Sequence, residues 1–72
     1  MTRLGAFLQK KSVKQAEIAK KTGISKSRIS LLCNDSKTKL TCKELYLIAL
    51  AIDIDPKDAF ESIYHGLELL NN

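Results

Sequence analysis

Between Lys14 and Lys39 the chain carries a dense set of short hydrogen-bonding and cationic side chains: Lys14, Gln15, Ser25, Lys26, Ser27, Arg28, Ser30, Asn34, Lys37 and Lys39. Their common chemistry is recognition of anions and of paired donors and acceptors. Lysine is a point charge, arginine a planar fork of donors, and serine and the amides bond in either sense. Leu31 is the odd member, a leucine expected beside these groups on the exposed side. None of these residues is arranged for bond-making chemistry. His65 is the only histidine and has no serine, cysteine or carboxylate pattern beside it, so no enzyme is expected.

Two short helices about a turn at Thr22-Gly23 must hold this set. Ile18 and Ala19 precede the turn, and Ile24, Ile29 and Leu32 follow it, spaced to meet in one small core if the helices cross steeply. Gly23 supplies the left-handed residue that ends the first helix. Ser25 is an N-cap for the second, expected over residues 26–33. Such a unit can offer its second helix to the major groove of DNA.

The rest of the chain reads as helix as well. Leu4, Phe7 and Leu8 form a stripe on a first helix over residues 2–11, and the second spans residues 15–22. After a basic loop, Thr41-x-x-Glu44 is a capping box for a fourth helix bearing Leu45, Ile48, Ala49 and Ile52. Asp55 caps a fifth, with Pro56 at its first position and Ala59, Phe60 and Ile63 facing the core. Gly66 either stops that helix or lies inside one that continues to Leu70. The expected architecture is all-α: five helices and no strand, a DNA-binding domain over residues 1–66 and a short tail over 67–72.

Charge separates along the chain. Residues 1–43 hold eleven of the twelve Lys and Arg against Glu17 and Asp35, a net of +9. Residues 44–72 hold Lys57 against six acids, a net of −5. One basic surface facing a polyanion follows from that split. Cys33, Cys42 and His65 are too few and too scattered for a structural zinc site, so neither metal nor cofactor is expected. The two cysteines read as free, core-filling thiols. No apolar run approaches the ~20 residues that span a bilayer, and no signal segment opens the chain. A cytoplasmic location in a bacterial or phage-like setting is the expectation, with no membrane partner and no evident small-molecule effector.

At this point the chain resembles the phage-repressor and Cro-type helix-turn-helix family, the lambda-repressor-like domains. The resemblance rests on Gln15, Ile18, Ala19, Gly23, Ile24, Ser25, Ser27, Ile29, Ser30, Leu32 and Asn34 in order and spacing. It extends through Thr41, Glu44, Leu45, Ile48, Ala49, Ala51, Ile52, Asp55 and Pro56, and so covers residues 3–64. It implies a compact five-helix domain that binds operator DNA as a dimer, with Gln15 bonding a phosphate and bracing the side chain of Lys26. Two positions depart from the pattern. Lys14 stands where the family has a Thr, Ser or Asn cap, and Asn34-Asp35-Ser36 replaces the common Asn-Gly. A phosphate seated at Lys14 would account for the first.

The site expectations follow. Lys26, Ser27 and Arg28 are expected at base edges, Arg28 with two parallel bonds to guanine O6 and N7. Leu31 either touches a thymine methyl or packs under the fourth helix. Lys14, Gln15, Ser25, Ser30, Asn34, Lys37 and Lys39 are expected at phosphates. Ile63, Tyr64, Leu67, Leu69 and Leu70, in the acidic half that should face away from DNA, are expected to form a homodimer interface. The competing expectation is a protein-interaction module or antitoxin on the same fold, using the tail from Leu67 to Leu70.

Overall fold

A computed structural model describes residues 1–70, and over them the chain forms α1 (Arg3–Lys10), α2 (Gln15–Thr22), α3 (Lys26–Asn34), α4 (Cys42–Ala51) and α5 (Pro56–Tyr64). No strand occurs among the described residues. Each helix starts where a local signal dictates. Thr2, Ser25, Thr41 and Asp55 accept amide hydrogens of the first turns of α1, α3, α4 and α5. At α4 the box is complete, because Glu44 also accepts from the Thr41 amide at 3.0 Å. Gly23 ends α2 at φ 79°, its N–H donating to the Ala19 carbonyl. Nothing lies within 4 Å of a Cβ built there, so the backbone angle alone calls for glycine.

α1 packs on α3 and α5, α2 on α3 and α4, and α4 on α5. Leu4, Leu8, Ile18, Ile29, Leu32, Leu45, Ile48, Ala49, Ala59 and Ile63 fill the centre, joined by Cys33. Phe7, Ala19, Ile24 and Ile52 close its margin, partly buried. No charged or polar side chain is buried among the described residues.

α1 approaches α3 unusually closely. The Thr2 amide donates to the Cys33 carbonyl at 2.9 Å and its hydroxyl to the Leu32 carbonyl at 2.6 Å. A Cβ at buried Gly5 would run into the Cys33 carbonyl oxygen, so glycine is what permits this contact. Arg3 Nη1 reaches across to the end of α5 and donates to the carbonyls of Ile63 and His65, both at 3.0 Å. A cation thereby satisfies the last carbonyls of α5.

Three expectations change, and one open alternative is settled. Ile63 is 3% exposed, because it shares the inward stripe of α5 with Ala59 four residues earlier; it belongs to the core, not to a dimer surface. Phe60, one position round the helix, faces outward and rests on Tyr64, the ring centroids 5.4 Å apart. Cys42 is exposed at the first position of α4, while Cys33 is buried; both are free. α5 stops at Tyr64, with Gly66 at φ 88° turning the chain away. Leu67, Leu69 and Leu70 are consequently exposed, and residues 71 and 72 of the expected tail lie outside the described residues.

Candidate nucleic-acid interface

The turn between α2 and α3 is fixed by one side chain. Thr22 donates its hydroxyl to the Ile18 carbonyl at 2.7 Å and accepts the Ile24 amide at 3.1 Å. Ser25 then accepts the Arg28 amide at 3.1 Å, which starts α3. With Ile29, Leu32 and Cys33 turned into the core, α3 presents Lys26, Ser27, Ser30, Leu31 and Asn34 to solvent. Leu31 is 49% exposed, so it does not lie beneath α4. This edge offers an ammonium, two hydroxyls, an amide and one branched apolar group, the set needed to bond base edges and meet a thymine methyl.

Around that edge stand the expected phosphate donors. Lys14 precedes α2 with extended backbone and gives no side-chain cap; its carbonyl accepts the Glu17 amide at 3.1 Å, and the Gln15 and Ala16 amides stay open. Gln15 is half-buried and lines one cleft with Asn34, Val13 and Met1, between α1, α2 and α3. The Asn34 side-chain amide donates one hydrogen to the Ser30 carbonyl at 3.0 Å, and its second N–H is the one a phosphate would meet. No hydrogen bond joins Gln15 to Lys26 among the described residues, so the bracing that the resemblance implies is not formed in this state. Lys37 and Lys39 are exposed on the loop after α3.

That loop is ordered by Asp35. Its carboxylate accepts the Lys37 amide at 3.0 Å and the Thr38 hydroxyl at 2.8 Å, and these bonds hold its pKa below the ordinary value. The replacement of the common Asn-Gly is thus an aspartate turn that still projects two lysines.

Arg28 departs most from expectation. Its Nε donates to Glu44 Oε2 at 2.8 Å and its Nη2 to Glu44 Oε1 at 3.0 Å, a fork-to-fork pair between α3 and α4. Nη2 also donates to the Lys39 carbonyl at 3.0 Å. The Nε and Nη2 donors, two of the three nitrogens that could meet guanine, are taken up by the protein itself. The Arg28 side chain bonds hold the Glu44 carboxyl down at about 2, helped by the bonds from Thr41. No other ion pair occurs among the described residues, so the lysines of this face are electrostatically unmatched.

The sequence reading did not find Arg3, Thr2 and Glu44 as partners of distant backbone and side chains. Glu44 carried a signal only as a capping residue, and nothing in the spacing of Arg28 and Glu44 announces a pair formed across two helices. Among the described residues no three His, Cys, Asp or Glu gather as metal ligands. No helix among them is long and apolar enough to cross a membrane.

Two helices crossing at a glycine turn, the second exposing a polar, cationic edge and flanked by lysine-bearing loops, define a helix-turn-helix DNA-binding domain. A family model for the Cro/C1-type HTH DNA-binding domain matches residues 3–63, and the chain belongs to that family. Neither a curated protein nor a solved structure matches it significantly.

Proposed function

We propose that this DNA-binding regulator is a sequence-specific repressor that occupies a palindromic operator as a homodimer in the cytoplasm. The exposed edge of α3 carries the proposal: Lys26, Ser27, Ser30 and Leu31 stand clear of every helix while Ile29 and Leu32 anchor the opposite side. Lys26, Ser27 and Leu31 read bases from the major groove. Lys14, Gln15, Ser25, Ser30, Asn34, Lys37 and Lys39 bond phosphates, which fixes register and supplies salt-dependent affinity.

One copy of α3 spans only a few base pairs, so specificity calls for two half-sites roughly 34–36 Å apart. Tyr64, Leu67, Leu69 and Leu70 form the proposed contact between copies, with Leu69 and Leu70 at 95% and 96% exposure. Selection of duplexes from a random library tests both parts. The expected product is a palindrome bound by the wild type, with Lys37→Ala weakening selected and unrelated duplexes alike and lowering the salt slope by about 1. Absence of binding to any duplex at low salt would sink the DNA reading, and a non-palindromic consensus would sink the dimer.

A further inference from the structure

We propose that Arg28 is a positioning residue: with Glu44 it fastens the lysine-bearing loop and the first turn of α4 to the recognition helix, so that Lys37 and Lys39 reach the duplex backbone in register with α3. This rests on the DNA reading above and assigns Arg28 a role other than the base contact its sequence position suggests.

Three hydrogen bonds leave Arg28 Nε and Nη2, two to Glu44 and one to the Lys39 carbonyl. Lysine at position 28 could not reproduce that planar arrangement. Glu44 is equally engaged. Oε1 accepts from the Thr41 amide, the Thr41 hydroxyl and Arg28 Nη2, while Oε2 accepts from Arg28 Nε. One carboxylate therefore starts α4, holds α3, and through Arg28 grips the loop at Lys39. The Glu44 side chain is 16% exposed and Arg28 36%, so the joint is shielded on one side only. Among the described residues Arg28 Nη1 has no partner and no buried side-chain polar atom lacks one, so that edge of the guanidinium faces water.

Charge and geometry pull apart here, which makes the role testable. The pair is neutral as a unit and adds little to the long-range attraction for phosphates. Removing either member alters local charge in opposite directions. Arg28→Ala leaves an uncompensated carboxylate near the DNA face. Glu44→Gln removes a negative charge there, and glutamine at this position still completes the capping box.

The experiment measures binding of wild type, Arg28→Ala, Glu44→Gln and the double variant to the duplex selected by wild type and to an unrelated duplex, over a salt series. Helical content at the assay temperature fixes the folded concentration of each. The expected result is that both single variants bind the selected duplex roughly ten-fold more weakly, a typical coupling for residues in one ion-pair network. The double variant should be no weaker than either, the salt slopes should fall in all three, and Arg28→Ala should select the same sequence as wild type. Tighter binding by Glu44→Gln would overturn the proposal in favour of simple charge. A changed base preference in Arg28→Ala would overturn it in favour of direct readout. Failure of the wild type to bind any duplex strikes the DNA reading itself and is distinguished by that control.

Discussion

Replacing Gly5 by alanine sets two well-characterised effects against each other. On helix propensity alone the change stabilises α1 by about 1 kcal/mol. The close approach of α1 to α3 works in the other direction. The added Cβ would collide with the Cys33 carbonyl oxygen and lie 3.1 Å from its carbon and 2.8 Å from Met1 Cγ. Met1 is exposed and can move aside. The Cys33 carbonyl cannot, because it belongs to the last turns of α3 and accepts the Thr2 amide at 2.9 Å. α1 must back away, at an overpacking cost of roughly 1–3 kcal/mol. Retreat also loosens the two Thr2 bonds to α3, each worth about 1 kcal/mol. The opposing contributions exceed the propensity gain, for a net loss of about 2 kcal/mol. For a domain of this size that corresponds to a fall in Tm of roughly 8–16 °C. Thermal unfolding followed by circular dichroism measures it directly. A Gly5→Ala protein with an unchanged or higher Tm would show that α1 can slide without penalty and that the contact does not set the helix spacing.

Two further outcomes probe the rest of the fold. Glu44 ionises at about 2 in the folded protein against 4.5 ordinarily, so its pair with Arg28 stabilises the fold fully above pH 4.5 and the contribution is lost as pH falls toward 2. That interval corresponds to roughly 3 kcal/mol, reduced to about 1–2 kcal/mol by the water that reaches the guanidinium. Urea unfolding should therefore show wild type and Glu44→Gln differing by a constant amount above about pH 5 and converging as pH falls toward 2, and a gap independent of pH would contradict it; Asp35 titrates in both proteins and cancels. At a concentration where the chain is monomeric, Ile63→Ala should cost about 2–4 kcal/mol as a core truncation, whereas Leu69→Ala and Leu70→Ala should leave unfolding within about 0.5 kcal/mol. A loss at Ile63 as small as about 0.5 kcal/mol would return it to the surface.

Local signals were legible in the sequence because caps and turns are local physics. Thr41 with Glu44, Asp55 with Pro56, Ser25 and Gly23 each act within four residues, and the helices begin or end where those residues require. The inward stripes followed from helical period, apart from Phe60, where one step around a short helix separates core from solvent. Contacts across the fold were not legible. The Arg28–Glu44 pair, the Arg3 grip on α5 and the Gly5 contact all depend on helices remote in sequence coming together. For the same reason the exposed set on α3 could be recognised while the employment of its arginine could not.

Lys14 gives the fold an imbalance between durability and use. Thr2, Ser25, Thr41 and Asp55 close the starts of the other four described helices, and α2 alone begins without a side-chain acceptor. A serine or threonine there would return about 1 kcal/mol of stability, so selection for robustness alone would be expected to install one. Retaining lysine keeps a cation beside open amides at the rim of the recognition helix. On the phosphate role proposed for Lys14, engineering this domain for heat resistance by the most obvious cap replacement would act against its grip on DNA, so position 14 would trade thermal tolerance against occupancy.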